Sequence, residues 1–589
     1  MFADVVARRV AAFLLLAALA VGAAARAQAP LPKPLVLTLQ PGPLKQTDDI
    51  DAGSGVVDVT MTIPDVQAAV GVPLFKLPRV VANVETVALT LKDLVVRDGF
   101  GEVPLAARDV KGPDGPVRHW SSTREVQGDL VIHYQAPIDN RPPARGAAPP
   151  YSLRTEGGGF SGVGNVFLLL PGGDKNYPLS LRWDLSKLGE GATATSSFGE
   201  GDLNLPNGAP SRLWSTIFMA GPMTRVPAAV APHGFSSAWL GAPATDPAPL
   251  MEWAGKLHQW MNGFFGDGKQ APPYRVFLRY NPINAGGGTA LTQSFLITHG
   301  KGISTDDLKI TLSHEMAHTW TEGVDAPWYD EGIAVHYQAL APFRAGLITA
   351  KQFLDDLNHT AARYYSDALN TTRDAEIMPR FWEDTRIRTL PYDRGAMYFA
   401  VVDARIRKAS NGKRSLDDLV LEMNRRRGAT SDAKSDAKPD AKPADMAALW
   451  PQLLARELGP AGTALHEAML AGEVIVPESD DFGPCFKRTT QKVRRFELGF
   501  DPASLVGDVK TIRGLQAGGA AAKAGVRDGD VVTYAVAMDK IQGEQDTRLT
   551  LNVTRDGRRF PITYLPRGER VQVWQWQRAS GVADSDCRL

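Results

Sequence analysis

The run Leu312-Ser313-His314-Glu315-Met316-Ala317-His318-Thr319-Trp320 contains the pattern H-E-x-x-H. On a helix its two histidines lie roughly 40° apart around the axis, on one face, and Glu315 flanks that face at about 60° from His318. Two neutral imidazoles so placed can hold a Zn²⁺, and the glutamate can take a proton from a water activated there. A tetrahedral catalytic zinc needs a third protein ligand and one open position. Downstream, Pro327 can open a second helix at its first turn, which makes Glu331 project near its start.

The elements that must position these residues are marked in the sequence. Ser304-Thr305-Asp306-Asp307 reads as an N-cap with an acid three positions on, and Leu308, Leu312 and Met316 recur at i, i+4, i+8 as a core-facing stripe. Leu250 to Phe265 has helical spacing, with Trp253, Leu257, Trp260 and Phe264 or Phe265 on one side. Val276 to Tyr280 reads as a strand, followed by the glycine-rich Asn284-Ala285-Gly286-Gly287-Gly288-Thr289-Ala290. Helices are expected over Arg394 to Arg407, Leu416 to Arg427 and Met446 to Leu458. Between the last two, Ser431 to Pro443 repeats an Asp-Ala-Lys unit with prolines, a composition expected to be solvated and disordered as an insertion at 429–445. His119, His133 and His466 have no visible partner.

From Pro30 to about Asn204 the pattern is β-rich and broken often by Gly and Pro, which predicts a sandwich. Candidate strands are Val56 to Met61, Val87 to Leu91, Leu130 to Tyr134 and Leu179 to Trp183. The chain has 589 residues, and 65 basic residues balance 65 acidic ones, so several domains are expected and nucleic acid is not the expected partner. Arg8-Arg9, the apolar run Val10 to Ala24 and Ala25-Arg26-Ala27 read as a signal peptide cut before Gln28. The expected mature protein is periplasmic or secreted, without a stable membrane anchor. The two cysteines, Cys485 and Cys587, are compatible with a disulfide or with two thiols.

Three motifs together carry a family resemblance. Trp328, Glu331-Gly332 and Ile333-Ala334 fit the third-ligand motif of the gluzincin metallopeptidases, and Tyr392-Asp393-Arg394-Gly395-Ala396 is similar to their Tyr-x-Lys/Arg-Gly-Ala run. In the C-terminal stretch, Glu497-Leu498-Gly499-Phe500 resembles a PDZ carboxylate-binding loop. Gly518 to Val532 resembles the bacterial PDZ signature Ala-x-x-Ala-Gly-(apolar)-x-x-Gly-Asp. In this order the motifs resemble the glycyl aminopeptidase family of gluzincins.

The resemblance implies a multidomain α+β chain: signal peptide 1–27, β-sandwich 28–205, thermolysin-like zinc-peptidase domain 206–475 with a helical subdomain, and PDZ domain 486–575. It implies one Zn²⁺ on His314, His318 and Glu331, Glu315 as general base and Tyr392 as oxyanion donor. Gly286, Gly287, Gly288, Thr289 and Ala290 would hold the substrate backbone at a sheet edge. Leu498, Gly499 and Phe500 would capture a C-terminal peptide while it adds to another edge.

Two departures bear on the activity. Only twelve residues separate His318 from Glu331, fewer than in the family aminopeptidases, and Gly286 to Ala290 lacks the glutamate that binds a free amine there. Zinc peptidase chemistry is expected, as an aminopeptidase acting on small N-terminal residues. The alternatives are an endopeptidase and a non-catalytic PDZ module for peptide binding in quality control.

Overall fold

The computed structural model describes residues 32–45, 52–112, 115–281, 283, 285–436, 446–583 and 586–587. The expected signal peptide at 1–27 lies outside them. The N-terminal part is built from sheets. A seven-stranded sheet centres on Leu35–Lys45, Ser54–Ala68 and Val126–Asp139, with Tyr177–Trp183 parallel to the first of these. Alternation dictates its inner face: Val57, Val59 and Met61 are fully buried against Leu35, Leu37, Leu39, Leu130 and Ile132. One expected strand is corrected. Val87–Leu89 is a 3₁₀ turn, because the Thr86 hydroxyl accepts from the Ala88 N–H and caps it. The β region also passes the expected boundary at 205, since Ile217–Gly221 pairs with both Gly159–Val163 and Thr193–Ser196.

A second five-stranded sheet carries the central part. Its order is Met223–Val226, Phe235–Leu240, Tyr274–Tyr280, Ser294–His299, Gly288–Leu291, so the strand after the glycines lies at its edge. One face meets the N-terminal sheets through Phe277 and Leu296 against Val163, Ile217 and Met219. The other packs on helices α1 (Ala248–Phe265), α2 (Thr305–Thr321) and α3 (Pro327–Arg344). Within α1, Leu257 and Phe265 are fully buried, whereas Trp260 and Phe264 pack at its margin.

Further helices among the described residues join this core: α4 (Ala350–Ser366), α5 (Asp374–Arg380), α6 (Thr385–Arg388), α7 (Leu390–Ala409), α8 (Leu416–Asp436) and α9 (Met446–Leu458), followed by α10 (Pro460–Leu470). Helix α8 continues into the repeat expected to be disordered, since Asp-Ala-Lys units carry no helix breaker before Pro439. Residues 437–445 lie outside the described part. In α10, His466 has partners after all: its Nδ1 is 3.4 Å from the Tyr398 hydroxyl and its ring lies 5.0 Å from Trp328. No helix among the described residues is long and apolar enough to cross a membrane.

The C-terminal unit combines a long pair, Phe486–Phe496 with Arg567–Arg578, and a sheet of Val531–Thr533, Leu549–Arg555 and Arg558–Tyr564. Two short helices join them, α11 (Ala520–Lys523) and α12 (Met538–Gly543). The sheet has its own core around Phe500, Ile512, Leu551 and Val553. The long pair instead shares the helical core: Phe486 packs on Phe353, and the Asn358 amide bonds both backbone groups of Trp576. Cys485 and Cys587 form a disulfide that ties the chain end to this seam.

Candidate metal centre

Helix α2 begins at the expected residues. The Ser304 hydroxyl accepts from the Asp307 N–H, and the Asp307 carboxylate accepts from the Ser304 N–H, a complete capping box. Leu308, Leu312 and Met316 anchor the opposite face in the core, so His314 and His318 turn towards the cleft. Helix α3 opens on Pro327 and brings Glu331 across.

The short His318-to-Glu331 connection closes because Asp330 binds it. Its carboxylate accepts from the N–H groups of Gly323, Val324 and Asp325, at 3.0, 3.2 and 3.1 Å. Gly323 and Asp325 take positive φ values of 118° and 58° in that turn. Arg427 reaches from α8 to the carbonyls of Trp320 and Glu322 at the end of α2. The short connection is held by a half-buried acid and a cation.

Three atoms then converge. His314 Nε2 and His318 Nε2 are 3.2 Å apart, and Glu331 Oε2 lies 3.3 Å from the first and 3.4 Å from the second. A tetrahedral ion with ligands at about 2.0–2.1 Å has ligand–ligand edges of about 3.3 Å, so this triangle has the dimensions of one face of such a tetrahedron. Among the described residues it is the one group of three or more His, Cys, Asp or Glu side chains close enough to share an ion.

The field around the triangle suits this chemistry. Burial opposes ionisation of Glu331, yet hydrogen bonds from His314 and His318 hold its carboxyl well below the usual range. Burial and the neighbouring Glu331 and Glu322 push the Glu315 carboxyl up, against the two imidazoles. The Glu315 carboxylate accepts no hydrogen bond among the described residues, which leaves both of its oxygens free for a water. The Tyr392 ring lies 6.0 Å from that of His314 and nearly parallel to it. Burial, then Glu331, hold its phenol far above the ordinary range, so it stays a neutral donor. Glu315 and Tyr392 thus stand beside the three candidate ligands.

Several supporting residues were not singled out in the sequence. The Gln338 amide oxygen lies 3.0 Å from His314 Nδ1, and the Gln338 amide nitrogen donates to Asp356. Burial pushes the Asp356 carboxyl up to about 6. Gln338 follows Glu331 by seven residues, two helical turns, and that spacing was a usable signal. Asp393, next to Tyr392, makes a bidentate pair with Arg363 and fixes the start of α7. The backbones of α3 and α7 nearly touch: a Cβ on Gly332 would lie 2.6 Å from Gly395 Cα. That approach sets Glu331 against Tyr392.

The glycine-rich segment leads into the edge strand as expected. Thr298 binds the Gly287 carbonyl through N–H and hydroxyl, and Gly288 to Leu291 pair with Ile297 to Ser294. The Thr289 hydroxyl donates to the Tyr151 hydroxyl of the N-terminal part.

In the C-terminal unit, Gly499 turns at φ 81°. Among the described residues, no acceptor is bound by the N–H groups of Leu498, Gly499 or Phe500. They border a cavity of about 170 Å³ that Arg386 of α6 also lines. After this loop, Pro502–Leu505 is a 3₁₀ turn, with Pro502 at its first position and the Asp501 side chain capping Ala503.

Sequence comparison finds no matching family model and no matching curated relative. Among solved structures, an aminopeptidase N family protein from Idiomarina loihiensis matches with a TM-score of 0.58 at 14% identity, over 91% of this chain and 97% of that one. The chain has the fold of that aminopeptidase N family protein. Two fainter likenesses carry no weight. They are an M1 zinc metallopeptidase from Deinococcus radiodurans (TM-score 0.37, 15% identity, 76% and 95% of the two chains) and yeast LTA4 hydrolase (0.39, 11%, 75% and 68%). The aminopeptidase N-like fold spans the N-terminal sheets as well as the metal centre, since so little of either chain is left unmatched.

Proposed function

We propose that the protein is an exported zinc metallopeptidase. The observation that carries this is the triangle of His314, His318 and Glu331, whose three edges fit one tetrahedral ion, with Glu315 and Tyr392 beside it. Held by His314, His318 and Glu331, zinc would supply Lewis acidity for activating a water and polarising a peptide carbonyl. Glu315 takes the proton of the attacking water and passes it to the departing amine. The Tyr392 hydroxyl donates to the oxygen on which negative charge develops. Gly286 to Ala290 aligns the peptide backbone against the free edge of Gly288–Leu291.

The enzyme removes residues from free N-termini, a reading supported by the fold it shares with an aminopeptidase N family protein. The endopeptidase alternative is favoured by one observation: Gly286 to Ala290 carries no carboxylate for an amine. Digestion of a peptide library with free and acetylated N-termini decides between them. Single-residue losses confined to free N-termini support the aminopeptidase, internal cuts in both halves the endopeptidase, and no cleavage by zinc-loaded protein overturns the enzyme reading.

The C-terminal unit, read as PDZ-like, takes a peptide carboxylate on the free N–H groups of Leu498, Gly499 and Phe500. Titration with peptides bearing free or amidated C-termini tests this. Equal affinity for both removes the carboxylate from the account.

A further inference from the structure

Helix α12 belongs to the C-terminal unit, yet its side chains bond both walls of the candidate cleft. On one wall, Lys540 Nζ donates to the carbonyl of Ala285, 3.3 Å away, where the glycine-rich segment begins. Ala285 is buried, and two residues on, Gly287 is bound to Thr298 just before the edge strand. On the other wall, Asp539 accepts a bidentate contact from Arg388 of α6, and the Thr385 hydroxyl bonds it as well. Gln542 completes this side. Its amide nitrogen donates to the Thr389 hydroxyl at 3.1 Å, and its amide oxygen lies 3.1 Å from the Thr385 hydroxyl. Thr389 is the residue from which α7 starts, three positions before Tyr392.

The helix is itself held stiffly. It has only six residues, too few to persist alone. Arg567, a buried residue of the long strand pair, donates to the carbonyls of Ile541, Gln542 and Glu544 at its C-terminal end. Met538 and Ile541 anchor it in the core of the C-terminal unit. That unit is in turn fixed to α4 through Asn358 and Phe353. A short, firmly held element thus joins two segments: the backbone that would carry the peptide and the helix start that carries the phenol.

We propose that α12 sets the spacing between the two walls of the peptide cleft, with Lys540 positioning the glycine-rich segment and Gln542 positioning Tyr392. The inference rests on the peptidase reading of the metal centre. The two residues act on different stages. Lys540 steadies backbone that binds substrate throughout the reaction, so its loss raises KM. Gln542 steadies a group needed when charge develops on the oxyanion, so its loss lowers kcat.

The test uses the full zinc-loaded chain and the variants K540A, K540R and Q542A. In K540A, KM rises about fivefold with kcat within about twofold of wild type, the consequence of losing one hydrogen bond. K540R, which keeps a cationic donor, restores KM. In Q542A, kcat falls about tenfold with KM nearly unchanged. Zinc content and thermal midpoint stay at the wild-type values. Amide hydrogen exchange provides a readout independent of activity: exchange over 286–291 accelerates about fivefold in K540A and not in K540R. Unchanged exchange in K540A overturns the proposal, as does a loss of kcat and KM that tracks a fall in thermal stability. Should wild-type protein cleave no peptide, the peptidase reading fails, while the exchange comparison still decides whether Lys540 holds the segment.

Discussion

His314 Nδ1 lies 3.0 Å from the amide oxygen of Gln338, whose amide nitrogen is 2.9 and 3.0 Å from the two oxygens of Asp356. The carboxylate accepts only, so it fixes which end of the amide faces the imidazole. The amide oxygen therefore takes the Nδ1 proton, and Nε2 is the nitrogen that would give up its proton and offer a lone pair to a zinc held with Glu331 and His318. In Q338A this orientation is lost, and zinc affinity falls about 10–100-fold, as read by competition with a chelator. Wild-type affinity in Q338A would show that the relay does not orient His314.

Gly395 sits where α7 crosses α3. A Cβ there would lie 2.6 Å from the Trp328 carbonyl oxygen and 2.7 Å from Gly332 Cα, and both are backbone atoms that cannot turn aside. G395A is expected to cost about 1–3 kcal/mol in urea unfolding. It also pushes Tyr392 away from Glu331, so activity at a temperature where the variant is fully folded drops as well. A variant as stable and as active as wild type would mean that the helices have room to part.

The imidazole of His258 is only 2% exposed, between Trp320 and Tyr274, and its Nε2 has no partner among the described residues. Burial pushes its pKa down to about 4. The unfolded chain takes up this proton near pH 6.5, the folded chain only near 4, so acid favours unfolding. Stability falls by up to about 3 kcal/mol from this group as pH drops through that window, and the contribution is absent above it. H258F should remove that share of the acid sensitivity. Urea unfolding at pH 7.5 and 4.5 checks it, and an identical pH dependence in H258F would assign the loss to other groups.

Tyr392 is a donor to the oxyanion in this account and not a metal ligand. Y392F should keep zinc and bind peptide with a similar KM while kcat falls about 10²–10³-fold. Loss of zinc from Y392F would place the hydroxyl in a structural role instead.

The site was legible where local pattern suffices. Ser304 to Asp307, the i, i+4, i+8 stripe and Pro327 each act within one helix, and they predict where His314, His318 and Glu331 stand. What was not legible depends on chain brought from afar. Asp356 and Arg363 on α4, and Arg427 on α8, reach the site only through tertiary packing. Asp330 was hidden in plain view, since an acid before a ligand looks like any helix-start carboxylate until three N–H groups converge on it. In the β region, Val57, Val59 and Met61 show period-two burial, while Val87 to Leu91 has strand composition but is overruled by the cap at Thr86.

The most direct test of the central claim compares wild type with E315Q for zinc content and hydrolysis of an unblocked peptide. The account predicts one zinc per chain in both, cleavage by wild type, and a rate in E315Q lower by about 10³-fold or more, since the general base alone is removed. Wild-type turnover in E315Q, or a wild-type protein that binds no zinc, would contradict it.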